Sequence, residues 1–286
     1  MFCDLETASR IEEAEARMMA EIARVACDAG GARGCMIEPI EEGVALFLRH
    51  GSPLNKAIGF GLRGPIREEL LDAIEERWRK ANENLQIELA TVAATGTVQQ
   101  FVARGYRLAA FENVLGCRPK DAADSMAHRS AHQVERVDPA ERRRWVEQVA
   151  DAFLAGDGTG AGSADAFSRD EIVNTMLETL SVPSMRSYAV RVDGAWAGGG
   201  CMRIDPAGVA QLCGSSTAPS LRRRGVQSAL LAARLAEAAS CGCSVAVLTA
   251  QPGSRSQQNA QKQGFALLYS RALLVKDLSL PRTPHA

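Results

Sequence analysis

The sequence predicts an α/β protein made of two tandem domains, and three observations carry this. Apolar residues recur at two-residue and at three-to-four-residue spacing in alternating stretches, which marks strands interleaved with helices. Both halves close on the same series of helix, strand, short helix, Gly-aromatic pair and long strand. The chain has 286 residues, long for one compact domain and comfortable for two. The repeat is visible locally in Q-Q-F-V-A-R-G-Y-R-L at 99–108 against Q-N-A-Q-K-Q-G-F-A-L at 258–267, an offset of 159. A period of that size indicates duplicated domains rather than a solenoid.

The elements follow in order. Residues 8–29 read as a helix, with Ile11, Ala14, Met18, Ile22 and Val25 on one stripe and Gly30-Gly31 as the stop. Cys35–Ile40 and Val44–Arg49 form a hairpin across Glu42-Gly43, and Ala57–Leu62 is a third strand. Pro65 opens a helix to about residue 82, with Ile66, Leu70, Ile74 and Trp78 on its buried stripe. A strand at 85–92, a short helix at 97–104 and a strand at 106–115 complete the first domain, residues 1–118. Residues 119–131 are polar and read as a linker. The second domain, residues 132–286, starts with a strand at 133–137 and a helix from Pro139 to Phe153. A Gly-rich stretch at 155–164 follows, placed to act as a lid, and Ser168 caps a helix to about Leu180. Strands near 186–192, 195–204 and 208–214, a helix at 226–240, a strand at 244–250, a helix at 254–263 and a strand at 265–276 finish the chain.

Composition narrows the function. The net charge is −1, from 33 basic and 34 acidic side chains. Residues 1–119 carry 14 basic and 18 acidic side chains and the remainder 19 and 16, so an anion site belongs in the second half. No basic stripe is interleaved with aromatics and only 5% of residues are aromatic, which argues against nucleic acid. No apolar run approaches 18 residues and no signal peptide opens the chain, so no membrane span is expected. The eight Cys show no zinc spacing and read as unpaired, which fits a cytoplasmic protein. His128 and His132 are four apart, but no carboxylate motif completes a site, so no metal is expected.

The strongest local feature is S-S-T-A-P-S-L-R-R-R-G-V-Q-S-A-L-L at 215–231. It joins a strand to an amphipathic helix, with Pro219 halting the strand and Arg222, Arg223, Arg224 and Gly225 forming the turn. Free amides at a helix start, together with the helix dipole, make an anion site. Gly225 would allow close backbone approach, and the Arg side chains would add charge-assisted hydrogen bonds, so a diphosphate is the natural guest. The competing reading is a solvated basic turn, since Arg is this protein's usual cation. The first half lacks such a loop: G-F-G-L-R-G-P-I at 59–66 has one Arg and a Pro where an amide is needed.

Arg222-x-x-Gly225 between a strand and a helix resembles the pyrophosphate loop of the GNAT N-acetyltransferase superfamily. The resemblance covers about residues 132–276 and is strengthened by Gly264-Phe265 after the helix at 254–263. Gln227 departs from the Gly or Ala usual there. The resemblance implies two GNAT-like domains, each a mixed, mostly antiparallel sheet flanked by helices, the first a degenerate copy without the cofactor loop. It implies acetyl-coenzyme A as cosubstrate, bound by Ser216, Thr217, Arg222, Arg223, Arg224, Gly225, Val226, Gln227 and Ser228, with Ser256 and Asn259 contributing from the later helix. It further implies a strand at Val245–Thr249 splayed from its neighbour to admit the pantetheine arm.

Many relatives carry a Tyr four residues before the Gly-Phe pair as general acid. That position is Ala260 here. Tyr269 on the next strand is a replacement candidate, against the alternative of a half-buried strand aromatic; Cys213 and Ser215 are others. Asp193 and Asp205 lie at strand turns and read as exposed, so no base is assigned. The expected function is acetyl transfer to the amine of a small molecule by direct attack in a ternary complex. The alternatives are a non-catalytic acyl-coenzyme A sensor and an acyltransferase with another acyl donor.

Overall fold

The computed structural model describes residues 1–30, 34–126, 132–156 and 167–278. It divides into two compact units. The N-terminal unit is Asp4–Phe111 with Ser270–Ala286, and the C-terminal unit is Glu112–Tyr269 with Met1–Cys3.

The N-terminal unit begins with α1 (Leu5–Ala29). The Asp4 carboxylate caps it, accepting from the Thr7 amide at 2.8 Å. β1 (Met36–Ile40) and β2 (Gly43–Phe47) form an antiparallel hairpin around Glu41 and Glu42. β3 (Lys56–Ile58), α2 (Glu68–Lys80) and β4 (Leu85–Ala90) form a parallel crossover with Ala57 opposite Ile87. α3 (Thr95–Ala103) leads into β5 (Arg107–Cys117). The stripe Leu71, Ile74 and Trp78 of α2 is buried with Phe60, Phe101 and Tyr106. Phe101 and Tyr106 pack edge-on at 5.0 Å.

The C-terminal unit contains α4 (Pro119–Met126), β6 (Val134–Arg136), α5 (Arg142–Leu154) and α6 (Arg169–Ser181). Next come β7 (Met185–Val192), β8 (Ala195–Asp205), β9 (Val209–Thr217) and α7 (Val226–Ser240). β10 (Val245–Ala250), α8 (Arg255–Lys262) and β11 (Ala266–Lys276) close the chain. Ser168 and Glu171 form a capping box on α6. The strand order in this unit is β6-β7-β8-β9-β10-β5, antiparallel throughout except for β9 beside β10. In the N-terminal unit the order is β1-β2-β3-β4-β11, antiparallel except for β3 beside β4. Each unit therefore holds a mixed, mostly antiparallel sheet with one parallel crossover.

The last strand of each half serves the other unit. β5 leaves the N-terminal unit and pairs with β10, from Cys117 opposite Ala246 to Asn113 opposite Ala250. β11 returns to pair with β4, from Arg271 opposite Ala90 to Lys276 opposite Leu85. Arg271 is buried in the N-terminal unit, where Nε donates to Glu12 at 2.9 Å and Nη1 lies 3.6 Å from Glu88. Lys276 Nζ donates to the buried Glu75 at 2.6 Å.

Three expectations change. Residues 119–131 are not only a linker: α4 occupies Pro119–Met126, and Ala122 and Met126 enter the core under α7. The two compact units meet along the chain within β5 and β11. Cys27 and Cys35 are disulfide-bonded, with Cα atoms 6.0 Å apart, a spacing that suits the bond. Asp205 is buried at 1% exposure, because it accepts from the buried Arg203 at 3.0 Å and from the Ala207 amide at 2.9 Å. Most of the Gly-rich stretch at 155–164, from residue 157 on, and His128 lie outside the described residues. No described helix is long and apolar enough to cross a membrane.

Candidate functional site

Two features of the C-terminal unit create an opening in its sheet. β9 and β10 pair only from Val209–Val245 to Gln211–Val247, after which both strands continue unpaired with each other. The strands part because β9 is bent: its register to β8 shifts between Gly199 and Cys201, and Gly214 has φ 56°. The β10-facing edge of β9 from Leu212 to Thr217 is thereby released, and so are its backbone hydrogen-bonding groups. β9 also runs past the expected end at residue 214, to Thr217.

The head of this split is the start of α7. Gly225 is its N-cap at φ 82°, and no side chain caps the helix. Ala229 N–H is the first to find an intrahelical partner, the Gly225 carbonyl at 2.9 Å. The amides of Val226, Gln227 and Ser228 are left for an external acceptor, at the positive end of a 15-residue helix. Val226 is buried and fixes the first turn against the core.

The predicted residues divide sharply. Arg223 and Arg224 are exposed, and the structure gives their side chains no partner among the described residues. Arg223 holds φ 63°, an uncommon conformation for a non-glycine residue. Arg222 is different. Its guanidinium donates to the carbonyls of Thr217 at 3.3 Å, Ala152 at 3.2 Å, and Gly156. It therefore ties the loop to the end of α5 rather than facing a ligand. The Ser216 hydroxyl donates to Val149 O at 2.8 Å, and the Ser228 hydroxyl accepts from Gln263 at 3.0 Å, so both side chains serve packing. Only the backbone of these three residues is left for an anion. His132 binds the Arg224 carbonyl at 2.7 Å and steadies the loop from the other side. On α8, Ser256 is exposed and Asn259 half-buried, with no hydrogen bond between their side chains and other described residues. Tyr269 is buried in β11, and Ala260 is buried in the core with Phe265.

Sequence reasoning missed what lies behind β9. Gly199 sits where a Cβ would come within 2.5 Å of Trp145, so α5 packs directly on the β8 backbone. The Gly198-Gly199-Gly200 run was the available signal. A cleft of about 370 Å³ opens beside it, lined by Gln148, Val149, Asp151, Trp196, Ser216 and Pro219. The Arg169 guanidinium holds the Asp151 carboxyl below its ordinary range.

The equivalent loop of the N-terminal unit is filled from within. The Leu62 amide donates to Glu42 at 3.2 Å, Ile66 to Gln100 at 3.0 Å and Arg67 to Glu41 at 3.3 Å. Internal carboxylates thus sit where an anionic ligand would bind, and they repel one.

This geometry agrees with the comparisons. Residues 156–265 match the model of the Acetyltransferase (GNAT) family. The C-terminal half carries a GNAT domain. A GCN5-related N-acetyltransferase from Kribbella flavida is 19% identical, with a TM-score of 0.60 over 89% of this chain and 95% of that one. A tandem GNAT protein from the clavulanic acid biosynthesis pathway is 12% identical, with a TM-score of 0.61 over 91% of this chain and 89% of the other. A GCN5-related N-acetyltransferase from Sphaerobacter thermophilus is 14% identical, with a TM-score of 0.52 over 78% and 72%. The fold of the whole chain is thus that of a tandem GNAT protein. No curated protein sequence matches significantly. In the GNAT domain, the split sheet and the uncapped α7 bring an open strand edge up to a free helix start.

Proposed function

We propose that the GNAT domain binds acetyl-coenzyme A and transfers the acetyl group to an amine of a small molecule. The observation that carries this is the split between β9 and β10, headed by the uncapped N-terminus of α7. The amides of Val226, Gln227 and Ser228 would hold the diphosphate, with Arg223 and Arg224 adding charge from the rim. The freed edge of β9 would hydrogen-bond the pantetheine arm, and Ser256 and Asn259 would face it from α8. The cosubstrate supplies the acyl group as a thioester.

The protein's part is positioning and electrostatics. It would orient a neutral amine for direct attack and polarise the carbonyl with backbone N–H groups near the β9 bulge. Tyr269 is the proposed proton donor to the departing thiolate, since the family resemblance sets Ala260 at the position where a Tyr is usual. The N-terminal unit would not bind the cosubstrate, because Glu41, Glu42 and Gln100 already occupy its loop amides.

Calorimetric titration with acetyl-coenzyme A and free coenzyme A tests the reading. Micromolar binding at one site per chain supports it, and an amine panel read by thiol release then separates an enzyme from a sensor. Binding to neither compound overturns it. Arg223→Ala with Gly225→Glu should abolish binding; unchanged affinity would remove the loop from the site.

A further inference from the structure

The mechanism above leaves unused a pair of thiols beside the split. Cys201 on β8 and Cys213 on β9 are direct cross-strand partners, immediately before the register shift. Cys201 is buried at 2% exposure and Cys213 is half-buried. The two thiols are hydrogen-bonded to each other. Cys213 lies two residues beyond Gln211, the last residue of β9 that pairs with β10, so it stands at the mouth of the split. Behind the pair lies the buried guanidinium of Arg234 on α7. It donates to the carbonyls of Cys201 at 3.0 Å and Leu230 at 3.0 Å, while its Nη2 has no partner among the described residues. Among the described residues no carboxylate bonds this buried cation, so a thiolate close to it is favoured electrostatically.

We propose that Cys201 and Cys213 form a redox-active dithiol, a modification site for hydroperoxides, whose oxidation displaces the β9 edge that would receive coenzyme A. The more accessible Cys213 attacks as thiolate. Its sulfur displaces hydroxide from hydrogen peroxide to give a sulfenic acid, and the hydroxide takes up a proton as water. The Cys201 sulfur then displaces the sulfenic oxygen, which leaves with the remaining proton as a second water. In sum, two thiols and one peroxide give one disulfide and two waters. The protonation pattern suits these roles. The hydrogen bond to Cys213, then burial, push the Cys201 thiol up, so it keeps its proton.

The bond has a mechanical consequence. A disulfide sets the sulfurs about 2.05 Å apart, closer than any hydrogen-bonded thiols, so β9 is drawn toward β8 at its bulge. The strand edge that would receive the pantetheine arm moves with it. This last step rests on the cosubstrate reading given above; formation of the disulfide does not.

The test treats the full chain with hydrogen peroxide, blocks free thiols and maps peptides by mass. The expected product is a Cys201–Cys213 cross-link lighter by two hydrogens, reversed by dithiothreitol and absent in both Cys201→Ser and Cys213→Ser. Oxidation of the exposed Cys241 without that cross-link overturns the proposal. Coenzyme A affinity, measured before and after, should fall at least tenfold on oxidation and stay constant in Cys213→Ser. A cross-link with unchanged affinity overturns this displacement of the binding edge. Should the reduced protein bind no coenzyme A, the cosubstrate reading fails while the mapping still decides the dithiol.

Discussion

Replacing Arg222 by Ala separates two views of the α7 loop. In the structure the guanidinium bonds the carbonyls of Thr217, Ala152 and Gly156, and none of its bonds goes to a ligand-facing group. Hydrogen bonds from a charged donor contribute about 1.5–3 kcal/mol each, and these are long or half-exposed, so about 1 kcal/mol each is the better figure. Two of the carbonyls lie at the end of α5, where a cation gains a further ~0.5 kcal/mol from the helix dipole. Arg222→Ala should therefore cost the C-terminal unit about 3 kcal/mol. Arg222→Lys should recover only about 1 kcal/mol, since an ammonium keeps the charge but cannot span three carbonyls. Urea unfolding followed by tryptophan fluorescence reads this through Trp145 and Trp196. Coenzyme A affinity should fall only about tenfold, because the loop amides survive in a looser frame. A variant that unfolds at the wild-type urea concentration yet loses a hundredfold in affinity would refute the argument, and would place the guanidinium on the diphosphate itself.

Three further outcomes follow from the packing. Gly199→Ala should destabilise by roughly 1–3 kcal/mol, because the new Cβ meets Trp145 at 2.5 Å; a midpoint unchanged in urea would disprove that contact. Burial alone would raise the Glu88 carboxyl, but the charges of Lys56 and Arg271 outweigh it and hold it below its ordinary value. Its contribution is therefore complete above the usual glutamate range and lost as pH falls through the depressed native value. Glu88→Gln should cost roughly 3–5 kcal/mol at neutral pH, and the gap from wild type should narrow below about pH 4; a constant gap would sink the ion-pair argument. A chain ending at Tyr269 should lose the cooperative unfolding of its N-terminal unit, since β4 loses one of its two partner strands and Glu12, Glu75 and Glu88 lose Arg271 and Lys276. Intact amide protection of α2 in that truncated chain would contradict this.

What was legible in the sequence was local. Pro219, Gly225 and the stripe of Val226, Leu230 and Leu231 lie within 13 residues, and their strand-turn-helix geometry follows from φ preferences and helical period. The splay after Gln211 came only through family resemblance. The role of Arg222 was hidden because its partners Ala152 and Gly156 lie 70 and 66 residues away. The same is true of Ser216, whose acceptor is Val149. The exchange of β5 and β11 was invisible for another reason. The two strands end repeats of one pattern, and alternation says which face is buried but not which neighbour a strand adopts. Asp205 misled because a turn position implies exposure, whereas here the buried Arg203, two residues back on the same strand and also bonded to Gln211 across it, holds the carboxylate.

The exchanged strands also set a timetable for biosynthesis. A ribosome delivers α1 to α3 first, yet β4 waits for β11, whose Arg271 pairs with Ala90 from 181 residues later. At roughly 5–20 residues per second, that is on the order of 10–30 s during which the earliest-made part of the molecule has an open sheet edge. The later half, by contrast, finds β5 already waiting when β10 emerges. The first half to leave the ribosome is the last to finish, so quality control meets this protein as a nascent chain with its N-terminal hydrophobic core still unsealed.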